Sequence, residues 1–246
     1  MSTLAQRSDA RLETGPRGGG DRFVAVGLLL LAALFATIQI LAGELIPPLA
    51  VPALLYAGIG GVLLRVTRRW LVLTTVALIV VHLATSIPFL VAALAHPESP
   101  ASFLPDAFIV IVALAVVVGA LAGLRGSGSR RHIWVAAALL ATALTVGSVV
   151  AASGVDSDVR QAGDVPIETV RSSFPARVQV PAGSAALWVD NQDAFRHTLV
   201  IEGTDVHAEL PGSTAVRVET DLAPGTYRYF CDVPGHERMA GELVVR

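Results

Sequence analysis

Residues 229–239 read YFCDVPGHERM and contain the only cysteine of a 246-residue chain. The cysteine and the histidine are spaced C-x4-H, and a methionine follows at H-x2-M. YRYF at 227–230, just before the thiol, is aromatic and reads as a strand, so Cys231 ends that strand while His236 and Met239 occupy the loop beyond it. A single cysteine forms no intramolecular disulfide, so the thiol needs another explanation.

The surrounding sequence has the same texture. VQV at 178–180, AALWV at 185–189, HTLVI at 197–201, AVRVE at 215–219, YRYF and ELVVR at 242–246 are short β-branched or aromatic runs, separated by PAG, EGTD, PGS and APG. About 80 residues of this kind predict a small all-β Greek-key sandwich over residues 167–246. His197 begins one of its strands. A thiolate with two imidazoles, completed by a weak thioether, is a donor set that suits copper in both oxidation states, which predicts His197, Cys231, His236 and Met239 as metal ligands. Zinc competes for Cys and His, but structural zinc prefers four firm donors and a thioether is a poor one. Asn191 is expected either to brace the ligand loops or to serve as an ordinary turn residue. Tyr227 and Tyr229 read as packing, and His207 as a surface residue.

Three segments, FPARVQVPAG (174–183), VDNQDAFRHT (189–198) and GTYRYFCDVPGHERMAGELVV (225–245), resemble the cupredoxin family, which includes plastocyanin and azurin, and occur in that family's order. The resemblance covers about residues 165–246 and implies equatorial copper ligands His197, Cys231 and His236, an axial Met239, and electron exit through the edge of His236. Only Glu237 and Arg238 separate His236 from Met239. That spacing is shorter than in plastocyanin and azurin and closer to the copper domain of cytochrome oxidase subunit II. The binuclear centre there uses two cysteines; with one, this chain implies a mononuclear site.

Upstream the composition changes. Hydrophobic residues make up 53% of the chain and charged ones 15%, and the excess lies between residues 23 and 152. Five apolar stretches, at about 23–42, 46–66, 70–94, 107–124 and 133–152, approach or exceed the roughly 20 residues a helix needs to cross a bilayer. They lack two-residue alternation, so a five-helix all-α transmembrane domain is expected rather than a barrel. Pro47, Pro48 and Pro52 mark the start of the second span, and Pro88 marks a kink in the third. His82 is the one imidazole deep in a span. It reads as a neutral partner of a neighbouring helix or as a proton or metal group, and His96 and His132 lie at opposite membrane edges, which disfavours a haem.

Arg65, Arg68 and Arg69 follow the second span, and Arg125, Arg130 and Arg131 follow the fourth; Arg7, Arg11, Arg17 and Arg22 lie in the leading tail. By the positive-inside tendency the 1–22 tail and both Arg-rich loops are cytoplasmic, and five crossings deliver the C-terminal domain outside a bacterial cell membrane. Trp70 and Trp134 beside these clusters fit headgroup depth. The first span is expected to be an uncleaved anchor, since its apolar core is long for a signal peptide. SGVDSDVRQAGDVP at 153–166 reads as a flexible linker.

A net charge of −2 without a basic cluster excludes a nucleic-acid surface. The expected function is a membrane-anchored type 1 (blue) copper electron carrier, not an enzyme, with the lipid bilayer and a redox protein, such as a respiratory-chain component, as partners. Copper oxidases and reductases need further centres, and no H-x-H pair occurs. The alternative is copper handling or sensing, whose transport form would need intramembrane Met, Cys or His; the two methionines are Met1 and Met239.

Overall fold

The computed structural model describes residues 19–42, 45, 47–66, 68–125 and 130–246. The basic tail through residue 18, with Arg7, Arg11 and Arg17, lies outside the described residues, as do parts of three expected interhelical loops (43, 44, 67 and 126–129) and residue 46, the start of the second expected span.

Six helices precede eight strands: α1 (Gly19–Ala42), α2 (Pro47–Leu63), α3 (Arg69–Thr85), α4 (Ile87–Leu94), α5 (Pro100–Leu124) and α6 (Arg131–Ser153). Among the described residues, Arg22–Ile40, Pro100–Leu124 and Arg131–Ser153 are long and apolar enough to cross a membrane, and α3 with α4 makes a fourth candidate if the bent pair is one span. The expected third span is thus two helices meeting at 63°. Pro88, the second residue of α4, lacks the N–H that would continue the α3 ladder and crowds the preceding turn, so the helix breaks at Ser86. The second expected span is a helix of 17 residues, one turn shorter than its apolar run. The fourth starts at Pro100, where a first-position proline fits a helix start, rather than at 107.

The described residues divide into two compact units, one of those up to residue 85 with those of 108–140, the other of residues 86–107 with 141–246. In the first, Phe23, Leu28, Leu31 and Phe35 of α1 are buried with Tyr56, Ile79 and Val116. α1 and α5 approach at two glycines: a Cβ on Gly27 would collide with Val116, and one on Gly119 with Phe23. Each glycine receives a side chain from the other helix, the small-residue packing common among apolar helices. His82 lies against two rings, 5.4 Å from Phe35 and 5.8 Å from Tyr56 between centroids.

In the second unit residues 165–245 form two sheets. One has the order β1 (Val165–Thr169), β3 (Gly183–Asn191), β6 (Thr214–Leu222). The other has the order β2 (Arg177–Val180), β8 (Ala240–Val245), β7 (Gly225–Phe230), β4 (His197–Ile201), β5 (His207–Leu210). Ile167, Leu187, Val189, Leu199, Ile201, Tyr229 and Leu243 point inward between the sheets and form the core. The sequence reading missed β1, VPIET, which carries a proline and a charge at one sheet edge, whereas β5, HAEL, at the edge of the other sheet, falls where His207 reads as part of a strand or hairpin segment. The 153–166 segment is not free: Asp158 N–H donates to Ala215 O (2.9 Å), Arg217 N–H to Asp158 Oδ2 (2.7 Å), and Trp188 Nε1 to Asp158 O (3.0 Å). It covers the open edge of β6, whose backbone groups would otherwise be unpaired.

Candidate metal centre

Strand pairing brings the predicted ligands together. β4 runs antiparallel to β7, with Val200 opposite Phe230, so the two strands set His197 and Cys231 at one end of the sheet. The β7–β8 ladder continues one step beyond Phe230↔Ala240, because Cys231 N–H donates to Met239 O at 2.9 Å. Cys231 and Met239 are therefore cross-strand neighbours, and both are buried. Between them the chain turns at Val233-Pro234-Gly235-His236, closed by His236 N–H to Val233 O at 3.0 Å. Gly235 has φ +93°, so Pro at the second and Gly at the third position form a type II turn that aims His236 back at the cysteine.

The outcome is a triad of donors: one ligating atom each from His197, Cys231 and His236 lies within 4.8 Å of the others. The two Nδ1 atoms are 3.1 Å apart, and His236 Nδ1 is 3.6 Å from Cys231 Sγ. Metal bonds of about 2.0–2.3 Å to nitrogen and sulfur put neighbouring donors roughly 3.3–3.8 Å apart, so the residues present fit one ion between them. Burial lowers the pKa of both imidazoles. For His236 burial and the neighbouring His197 bring it to about 4, whereas at His197 the Asp193 carboxylate opposes the shift. Neutral rings offer the lone pairs a metal needs.

Residues around the triad fix its orientation. Asp193 Oδ2 accepts from His197 Nε2 at 3.0 Å, which places the ring proton on Nε2 and leaves Nδ1 facing the cluster. The carboxylate is itself held by the amides of Arg171 and Ser172, each at 2.7 Å. Those two residues have φ of 53° and 52°, consecutive left-handed positions that point successive N–H groups at one anion. Thr198 N–H donates to Cys231 Sγ at 3.4 Å, and Thr198 Oγ1 accepts from Asp232 N–H at 2.9 Å, tying the first ligand strand to the sulfur. Asn191 braces the loops as one expectation had it: Nδ2 donates to Phe195 O, Leu210 O and Pro211 O at 2.9, 3.0 and 2.9 Å.

Other expectations resolve plainly. His207 sits outside the cluster, exposed and 3.5 Å from Asp232 Oδ2. Tyr229 is buried packing whose hydroxyl donates to Pro175 O at 2.6 Å. Asp193 and Thr198 were missed by sequence reading. Asp193 precedes His197 by four residues in an irregular loop, where an aspartate reads as a turn former, and only Thr198's place next to a ligand hinted at a role.

Residues 136–245 match the family model of the cupredoxin-like domain. The C-terminal part of the chain is a cupredoxin-like domain. Its fold and His/Cys/His cluster fit a single mononuclear copper site. Among solved structures, the chain is similar to amicyanin from Paracoccus versutus (21% identity, 36% of this chain, 86% of that one, TM-score 0.30). A copper-binding protein in its apo form gives 20% identity over 36% of this chain and 93% of that one, with a TM-score of 0.30. A copper-containing nitrite reductase from Thermus scotoductus gives 23% identity over 38% of this chain and 24% of that one, with a TM-score of 0.28.

Proposed function

We propose that this protein is a membrane-anchored type 1 copper protein that carries single electrons on the extracytoplasmic face of a bacterial membrane. The carrying observation is the convergence of His197 Nδ1, His236 Nδ1 and Cys231 Sγ within one ion's reach. Bound copper would supply one-electron exchange between Cu(I) and Cu(II). His197, Cys231 and His236 would hold it, with Met239 as a weaker thioether donor, a role its position opposite Cys231 supports.

The chain's own contribution is rigidity. Donors already spaced for a metal before one binds need little rearrangement between oxidation states. Asp193 keeps the His197 ring in one tautomer, the Pro234-Gly235 turn fixes His236, and the Thr198 amide stabilises charge on the sulfur. Burial of Cys231 keeps the thiol from external oxidants.

The domain plan we propose is a tail of residues 1–22, a helical domain of 23–152 that crosses the membrane five times with its third crossing bent at Ser86, a linker of 153–166 and a copper domain of 167–246. Support comes from the Arg clusters and from residues 95–106, the expected outer loop between the third and fourth crossings, where Ser99 and Ser102 accept hydrogen bonds from the β-domain, which favours its side of the bilayer. The partner we propose is a respiratory-chain component, and the role is that of a carrier with no turnover of substrate.

The full chain in detergent, loaded with Cu(II), is expected to show intense visible thiolate-to-copper charge transfer, and Cys231→Ser to abolish it. A colourless copper complex of the unsubstituted protein rejects the proposal. A C-terminal reporter active only in the cytoplasm would overturn the orientation.

A further inference from the structure

Three loops surround the donor cluster: residues 192–196, 211–213 and 232–239. All three touch one stretch of the same compact unit outside the β-sandwich, residues 86–107, which comprise α4 and the start of α5. Arg196 N–H donates to Ser102 Oγ at 3.0 Å and Gly212 N–H to Ser99 Oγ at 3.4 Å. A Cβ on Gly235 would lie 3.6 Å from Phe89 Cε1, so the turn that carries His236 rests beside the Phe89 ring.

A charged clamp reinforces these contacts. The Arg196 guanidinium, 9% exposed at its side chain, makes two bonds to Glu209 (2.7 and 3.0 Å) and donates through Nη1 to Ala92 O at 3.3 Å. Ala92 lies in the last turn of α4, where carbonyls lack helical partners and a cation is favoured. Glu209 is also 3.9 Å from His96 Nε2, and His96 Nδ1 is 2.8 Å from Glu98 Oε1. Ser148 of α6 pins the same stretch from behind, donating to Pro97 O at 2.6 Å. A buried guanidinium and two loop amides would lose partners if this stretch moved away, so the contact holds itself closed.

We infer that residues 86–107 are a built-in docking partner for the metal end of the β-domain, occupying the surface through which a soluble redox protein would otherwise approach His236. The inference rests on the proposed copper reading only for its electron-transfer consequence. With the seat filled, protein-sized soluble reagents are kept from the ligand loops, while small complexes still reach the half-buried His236 ring.

The test uses the full chain in detergent. In the metal-free protein, hydrogen exchange followed by mass spectrometry is expected to show the Arg196 and Gly212 amides protected. Ser99→Ala with Ser102→Ala should speed their exchange about tenfold, the cost of losing hydrogen bonds of ordinary strength, with the β7 and β8 amides unchanged. Glu209→Gln, which loosens the clamp without touching either serine, should act in the same direction. Unprotected amides in the parent chain, or protection that neither variant alters, overturns the inference.

In the Cu(II)-loaded protein, each reagent supplies one electron per site. Reduction by a soluble c-type cytochrome should be about tenfold faster in the double-serine variant, while reduction by hexaammineruthenium(II) stays the same. Equal acceleration of both reagents, or of neither, also overturns it. If the chain takes up no copper, the proposed function fails while the exchange result still decides the seat.

Discussion

The helical and β regions treat apolar side chains in opposite ways. Large hydrophobic residues are exposed throughout the helices, including Leu54, Leu55, Val91, Leu139 and Val150, whereas after residue 153 only Val159, Val170 and Phe195 are, among the described residues. In the β-domain the alternation of strand residues puts nearly every aliphatic side chain inside, as water requires. A helix apolar on all sides has no such arrangement available and needs an apolar surrounding, so these helices suggest membrane association. One chain is thus built for two solvents, and polar design is concentrated where the donor cluster lies.

The sharpest way to break this contrast is to place the same charge in both regions. Leu139→Arg, 67% exposed on α6, should cost about 3 kcal/mol of membrane insertion and shift the protein out of the membrane fraction. Val159→Arg, 80% exposed before β1, should leave membrane fractionation and thermal stability unchanged. Equal effects would dissolve the distinction. Within the β-domain, Asp193→Ala removes the acceptor at His197 Nε2, and copper affinity measured by chelator competition should fall about 10- to 100-fold. Asp193→Asn, which keeps an acceptor oxygen, should recover part of it. The smallest effect is expected for Tyr229→Phe, which deletes the hydroxyl bonded to Pro175 O and should lower the unfolding free energy by about 1 kcal/mol with the visible spectrum unaltered.

Legibility in the sequence followed the range of each interaction. Cys231 and His236 of the donor cluster were readable because they sit close together in sequence, and Pro234-Gly235 encodes the turn that brings them round. His197 was reachable because it starts a β-branched run. Asp193 was not, since its role depends on residues 171 and 172 arriving from another part of the chain. The helices were readable as apolar runs but their ends were not. Pro88 was the exception, expected as a kink and found at the 63° bend between α3 and α4, while Pro100 starts a helix inside a segment polar enough to read as loop. Strand β1 escaped, and β5 reads only as a strand or hairpin segment around His207, because edge strands do not need two apolar faces.

The bonds of Asp158 to β6 have a mechanical consequence. Helix α6 ends at Ser153 and Ser157 Oγ already accepts from Ala215 N–H, so four chain steps separate the helix from the first anchored residue, a leash of at most about 14 Å when fully extended. If the domain carries electrons as proposed, such a leash gives it no radius in which to shuttle between distant stations. Any electron it takes must be received and passed on at one fixed address, by molecules that come to it.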